Sequence, residues 1–293
     1  MHRNVAESQT LYMSKLKDVL PQNELIIHMD FAENMESVVQ EEVAPGFFRR
    51  SHISMFIAVV YKRSSVELLH QSYAIVCDDL HHDLYFVLLA LKTIRNQEDK
   101  TKKHAQSIRG NPFEGVKSIH YFSDGARQHF KLKNALWVLS NHEILFGCPA
   151  TWTYSASGHG KGACDGVGGV LKQTLRRFAL NEDKANTTGK HIVTKAQSII
   201  DWDVQQKNKT IITIGLIKKD DMTTFRGAYN EVIPGAAKRI PGISNYHYFK
   251  SALPGYIHCH VTAQTEMKYL CKVNCDNSGR AVNELKHTLQ SYN

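Results

Sequence analysis

The chain has 293 residues, of which 42% are hydrophobic, enough for one large core or for a core with a smaller appendage. Lys and Arg outnumber Asp and Glu by 36 to 28, so the net charge of +8 favours a polyanionic partner without proving one. No apolar run approaches the roughly 18–20 residues that cross a bilayer, and the N-terminal segment lacks a signal-peptide core. We therefore expect an intracellular protein with no membrane partner and with six reduced cysteines.

Apolar spacing predicts a lead-in helix followed by elements in the order βββαβαβα. In chain order they are a helix over 6–20, strands over 24–31, 52–63 and 67–78, a helix over 80–97 capped by Asp79, a strand over 115–124, a helix over 131–147 ended by Gly147, a strand over 150–157 and a helix after the glycine-rich turn.

This order matches the ribonuclease H-like fold, in which three antiparallel strands precede parallel strands joined through helices. We predict an α/β fold with a ribonuclease H-like mixed five-stranded sheet flanked by helices. Residues 1–22 would be the lead-in helix, 23–189 the ribonuclease H-like domain and 190–293 a small mixed α+β appendage.

Two aspartates, Asp30 and Asp124, close the first and fourth predicted strands, and Asp165 lies at the start of the last helix. Parallel strands end at one edge of a sheet, so we expect the first two carboxylates to lie together with Asp165 within reach. Converging carboxylates select Mg²⁺ or Mn²⁺, and two such ions serve phosphodiester displacement. Taken singly, each aspartate also fits a plain helix cap or turn residue.

The glycine-rich segment before Asp165 contains His159 and Lys161, a titratable donor and a fixed cation. We predict a catalytic role for His159 and a loop that grips the scissile phosphate. The segment lacks the spacing of a phosphate-binding loop, and a plain strand-to-helix turn is the alternative.

Basic residues cluster around the same positions. We predict that they bind nucleic-acid phosphates, with a solvated helix face as the alternative for each. They are Lys131, Lys133, Lys161, Lys172, Arg176 and Arg177.

The blocks HMDFAEN, YFSDGARQHFK and SGHGKGACDGVGGVLK, in this order, resemble the catalytic blocks of transposon-derived proteins and of DDE/DDD transposases of the ribonuclease H-like superfamily. The resemblance implies a catalytic domain over 23–189 that cleaves and transfers DNA strands through Asp30, Asp124 and Asp165. It further implies a nuclear protein with DNA as its partner, and it allows a homo-oligomer on the DNA.

The chain departs from that family in two respects. The third acid is Asp rather than the more usual Glu, and no DNA-binding finger or helix-turn-helix precedes the blocks, which leads us to expect a fragment, a truncated copy or a partner-dependent protein. Two other functions stay open: a ribonuclease H-like nuclease on hybrid or branched nucleic acid, and a domesticated, inactive nucleic-acid-binding protein.

Residues 190–293 give weaker signals. The segment 191–207 is typical of a helix, and strands are expected around 210–219, 240–251 and 256–264. His258, Cys259, His260, Cys271 and Cys275 do not have the spacing of a standard zinc finger, so we do not expect zinc.

Overall fold

The computed structural model describes residues 2–36, 52–96, 108, 110–155, 162–181, 198, 212–266, 268–276 and 278–291. Within these residues one nine-stranded sheet carries helices on both faces. The strands are β1 Glu24–Glu36, β2 His52–Arg63, β3 Leu68–Cys77, β4 Ser118–Ser123, β5 Ala150–Tyr154, β6 Ile212–Leu216, β7 Tyr248–Ser251, β8 Tyr256–His260 and β9 Tyr269–Lys272.

The strand order is β6-β3-β2-β1-β4-β5-β7-β8-β9. Strands β1, β2 and β3 pair antiparallel, while β4 pairs parallel to β1 and β5 parallel to β4. This central part confirms the predicted α/β fold with a ribonuclease H-like sheet. The sheet has nine strands rather than five, because β6 adds in parallel to β3 and β7 to β9 add antiparallel beyond β5.

Helices cover both faces of the sheet because β1 alternates its side chains between two apolar layers. Leu25, Ile27 and Met29 face one layer, whereas Ile26 faces the other. The helices are α1 His2–Val19, α2 Leu84–Asn96, α3 Lys133–Ser140, α4 His142–Phe146, α5 Ala163–Asn181, α6 Lys219–Tyr229, α7 Val232–Ala236 and α8 Ser278–Ser291, and Ile243–Asn245 is a 3-10 turn. None of these helices is long and apolar enough to cross a membrane.

Helix α2 begins later than the sequence predicts, and a different aspartate caps it. The backbone N–H of Phe86 donates to Asp83 Oδ1 at 2.9 Å, so Asp83 has the capping role predicted for Asp79. Asp79 is instead buried, and its carboxylate forms a 2.7 Å ion pair with Arg226 of α6. The predicted cap was wrong because the helix begins only at Leu84, and the Asp79 carboxylate accepts the His81 N–H at 3.2 Å instead of a helical one.

The predicted helix over 131–147 is divided in two at Asn141. The buried Asn141 amide donates to the Trp137 carbonyl at 2.9 Å and to Asn274 Oδ1 at 2.9 Å. Gly147 ends α4 as predicted, with a positive φ of 83° that favours glycine.

Strands β6 to β9 lie within the same sheet as the central strands, and the division at residue 190 stays a prediction. The helix expected over 191–207 lies outside the described residues, apart from residue 198, which is helical. On β8 the rings of His258 and His260 share one face, with centroids 6.5 Å apart. Cys259 points into the core, where its Sγ lies 3.5 Å from that of Cys271.

Arg226 ties α6 to the turn before α2, since its guanidinium contacts both Asp79 and Asp83, at 2.7 and 2.6 Å. We expect Arg226→Met to lower the free energy of unfolding by about 3 kcal/mol, because it leaves the buried Asp79 carboxylate without its cation. Urea denaturation measures this change.

The matched control is Arg280→Met, which removes an equally short 2.7 Å pair with Glu284 that lies at the surface. This change should lower stability by less than about 1 kcal/mol. Equal losses in the two variants would contradict a structural role for the Arg226 pair.

Candidate functional site

The parallel pairing of β1 with β4 brings Asp30 and Asp124 to neighbouring positions. The last paired row joins His28 to Phe122, and each aspartate follows two residues later. Asp124 therefore lies just past the carboxyl end of β4, whereas Asp30 lies within β1, which continues to Glu36 beyond its parallel pairing with β4. Asp30 lies four residues after Ile26 on β1, and side chains alternate between the two faces of a sheet. The Asp30 side chain therefore points to the same face as Ile26, which is the face that α5 covers.

Asp30 is half-buried and lies in the field of the other two predicted carboxylates. Burial, and after it the negative charges of Asp124 and Asp165, raises the pKa of Asp30 to about 7. The backbone N–H of Phe31 bonds to the Asp30 carboxylate and opposes this shift. The three acids thus share one electrostatic environment.

Asp165 lies in the first turn of α5 and helps this helix to begin. The Gly162 N–H donates to Asp165 Oδ2 at 2.8 Å, and the Asp165 N–H donates to the Gly162 carbonyl at 3.1 Å. The Asp165 side chain thus supplies one half of a capping box, while Gly162, which has no side chain, contributes only its backbone. Asp165 is therefore a helix cap, and its second carboxylate oxygen remains for a further contact.

Helix α5 approaches the sheet closely because glycine and cysteine face β1. A Cβ on Gly168 would lie 3.3 Å from the Cβ of Ala32, and one on Gly162 would lie 2.6 Å from Cε1 of His28. The buried Cys164 thiol donates to the His28 carbonyl at 3.3 Å. These contacts hold Asp165 beside the end of β1.

A cleft of about 270 Å³ opens between β1 and α5, and Asp30, Glu33, Asp165 and Lys172 are among its lining residues. The Lys172 ammonium lies 3.4 Å from the Glu33 carboxylate. Asp124, which follows β4, is not part of this lining. The predicted acids thus do not all line one cavity.

The donor chemistry fits a hard divalent cation, since all three candidate ligands are carboxylates and Asp30 is repelled by the other two. Within the described ranges, however, no three or more His, Cys, Asp or Glu side chains lie close enough to hold one metal ion together. Asp124 uses Oδ1 to accept the Ala126 N–H at 3.1 Å. A cation would therefore have to draw the carboxylates closer.

Lys131 and Lys133, predicted to bind phosphates, have partners inside the protein. The Lys131 ammonium donates to the Ser244 carbonyl at 3.2 Å, and burial, with repulsion from Arg127, lowers the pKa of Lys131 to about 8. The Lys133 ammonium donates to the carbonyls of Pro234 at 2.7 Å and Ala237 at 3.0 Å. Both lysines therefore anchor the segment before β7.

The other predicted phosphate-binding residues differ in position. Lys172 lies at the cleft, and Arg176 and Arg177 are exposed further along α5. His159 and Lys161 lie outside the described residues.

His129 was not predicted, although it belongs to the block YFSDGARQHF that signalled Asp124. It is buried, and its Nε2 lies 3.8 Å from Asp124 Oδ1. Its ring packs edge to face on Phe31, and His82 stacks on the same Phe31 ring at a centroid distance of 4.2 Å. His129 and Asp124 are close in sequence, but only the turn after β4 brings their side chains together.

We expect Gly162→Ala to lower the free energy of unfolding by about 1–3 kcal/mol, because the new methyl group would overlap the half-buried His28 ring. The control is Gly166→Ala, since a Cβ at Gly166 has no atom within 4 Å and alanine favours a helix. Measured by urea denaturation, the change in the free energy of unfolding should have opposite signs in the two variants. If neither variant lost stability, α5 would not depend on this close approach.

Comparisons with known proteins give one family and only distant structural neighbours. No curated protein matches the chain. The crystal structure of NurA with manganese is 10% identical with a TM-score of 0.15, and that of NurA bound to dAMP and manganese is 11% identical with a TM-score of 0.14. Each alignment covers 98% of this chain but only 62% and 59% of the NurA chains, and scores this low establish no shared fold. A family model does match residues 9–263, and the chain therefore belongs to the family described as domain of unknown function DUF8701.

Proposed function

We propose that this protein is a metal-dependent nuclease that cleaves and transfers DNA strands in the manner of DDE/DDD transposases. The observation that carries the proposal is the position of Asp30 and Asp124, two residues beyond the last paired row of the adjacent parallel strands β1 and β4. Carboxyl ends of parallel strands are where open α/β sheets place their sites. The resemblance of three sequence blocks to transposases supports DNA as the substrate.

Asp30 and Asp124 would hold Mg²⁺ or Mn²⁺, with Asp165 as the third carboxylate from α5. Ions bound there would stabilise the attacking and leaving oxygens of an in-line phosphodiester displacement. The half-buried position of Asp30 suits this role, because a carboxylate that is repelled by two others gains the most from a cation.

The protein would position the nucleic acid through α5. Lys172 lies at the cleft with Asp165, and Arg176 follows one turn later on the same helix. The Lys172 ammonium now contacts the exposed Glu33, a weak surface pair that a phosphate would replace. These cations would align the backbone of the strand with the carboxylates.

We expect Asp30→Asn and Asp124→Asn each to reduce Mg²⁺- or Mn²⁺-dependent nicking of supercoiled DNA by more than about 100-fold, because each removes a metal ligand. The melting temperature of Asp30→Asn in chelator should hold or rise, since the substitution relieves carboxylate repulsion. The control is Asp276→Asn, an exposed aspartate in the turn before α8.

Undiminished nicking by both variants would refute the assignment. A wild-type protein that binds DNA but cuts none would instead be a domesticated binding protein. If the wild-type protein cuts RNA–DNA hybrid or branched substrates in preference to duplex DNA, the same three acids belong to a ribonuclease H-like nuclease.

We expect the triple change Lys172→Ala, Arg176→Ala and Arg177→Ala to weaken binding to duplex DNA of any sequence. The slope of log affinity against log salt should fall by about 0.9 for each phosphate that the variant no longer neutralises. Titration by fluorescence anisotropy from low to moderate salt measures both effects.

The matched triple is Lys238→Ala, Arg239→Ala and Lys250→Ala, three exposed cations between α7 and β7 or on β7. This control should keep the wild-type slope. If only the control flattens the slope, the path of the DNA lies over the C-terminal strands rather than α5.

A further inference from the structure

A second pocket lies beside the carboxylates, on the other side of the first turn of α5. Its volume is about 170 Å³, and it lies between α1 and the strands β1, β4 and β5. The side chains that matter here are Gln9 and Lys17 from α1 and His28, Tyr61, Phe122 and Thr153 from the sheet. No residue lines both this pocket and the cleft at Asp30.

Three polar atoms of this lining have no hydrogen-bond partner among the described residues. They are Gln9 Oε1, His28 Nδ1 and Thr153 Oγ1. The side chains of two of these residues are deeply buried, since Gln9 is 4% and Thr153 1% exposed. Because buried polar groups nearly always have partners, three unpaired ones around one cavity point to a ligand that would supply them.

The unpaired atoms determine which hydrogen-bonding groups such a ligand must present. The amide of Gln9 donates through Nε2 to the His247 carbonyl at 3.2 Å, which leaves Oε1 as an acceptor without a donor. An N–H group of the ligand would satisfy Oε1, whereas a phosphate or carboxylate, which offers acceptors, would leave it unpaired. The Thr153 hydroxyl both donates and accepts.

The rest of the lining favours a flat, aromatic group. The rings of Tyr61 and Phe122 line the pocket, and the ammonium of Lys17 lies 3.8 Å from the centroid of the Tyr61 ring. Pockets for whole drug-sized ligands run from roughly 300 Å³ upward, so this smaller one suits a single ring system. Aromatic surfaces combined with mixed donors and acceptors are how proteins read unstacked bases.

The position of the pocket relates it to the acids. His28 precedes Asp30 by two residues on β1, and Phe122 precedes Asp124 by two on β4, which is about 6.6 Å along each strand. We propose that the pocket takes one unpaired nucleobase of the strand whose phosphate reaches Asp30 and Asp124. This proposal rests on the proposed function and adds to it that the substrate is unpaired at the site of cutting.

The test mixes the full chain, in the presence of a chelator, with each of the four deoxynucleosides and, as a second probe, with inorganic phosphate. Saturation-transfer NMR and calorimetry measure the binding of each probe. At least one deoxynucleoside should bind the wild-type protein, and Thr153→Val should weaken its binding by at least about 5-fold because it removes one hydrogen bond. Thr153→Val should melt at or above the wild-type temperature, because its hydroxyl has no partner to lose.

The control is Thr93→Val on α2, whose hydroxyl donates to the Leu89 carbonyl at 2.8 Å far from the pocket. This variant should bind deoxynucleosides as the wild-type protein does.

Failure of this proposal and failure of the proposed function are separable, because deoxynucleosides carry no phosphate and their binding needs no metal. The base pocket would be overturned if no deoxynucleoside bound, as for a pocket that holds water only. It would also be overturned if Thr153→Val bound deoxynucleosides as well as the wild-type protein does. Both results are independent of the effect of Asp30→Asn on nicking. Displacement of the nucleoside by inorganic phosphate would also overturn it. Binding that Thr153→Val weakens, in a protein that cuts no DNA, would support the pocket and refute only the nuclease assignment.

Discussion

The register of the parallel pair β1–β4 is the constraint on which the candidate site depends. Side chains alternate along a strand, so a slip of β1 by one residue would turn Asp30 into the apolar layer that holds Met29. A carboxylate there would lose its contact with water without gaining a partner, which is strongly unfavourable. Asp30 thus helps to fix the register, and the register in turn places it beside Asp124.

Helix α5 completes the site because its surface toward β1 is small. Gly162, Cys164 and Gly168 allow contacts that larger side chains would block, and these contacts set the height of Asp165 above the sheet. One oxygen of the Asp165 carboxylate caps the helix, since it accepts the Gly162 N–H at 2.8 Å, and the residue also lines the cleft at Asp30.

The central fold was predictable because β1, β2 and β3 are long apolar runs whose order has few topological solutions. The neighbouring positions of Asp30 and Asp124 followed from that order. What could not be predicted depends on partners distant in sequence: Arg226 pairs with the buried Asp79, and Asn274 engages the amide at which the predicted helix divides. Likewise, nothing local to Lys131 shows that Ser244 accepts its ammonium. Strands of four or five residues such as β7 and β9 are too short to show a clear period.

Unfavourable features concentrate where the parallel pairing of β1 with β4 ends. Asp30 is repelled by its neighbours, and the polar atoms of Gln9, His28 and Thr153 around the adjoining pocket lack partners among the described residues. Unpaired buried atoms occur elsewhere too, for example at Trp137 Nε1. By contrast, Asp79 and Asp83 share one arginine on the opposite side of the sheet. This fold pairs its charges in one region and leaves carboxylates repelling one another in another. Such an arrangement is typical of a protein that gives up folding stability for binding, because a ligand can supply the interactions that the second region lacks.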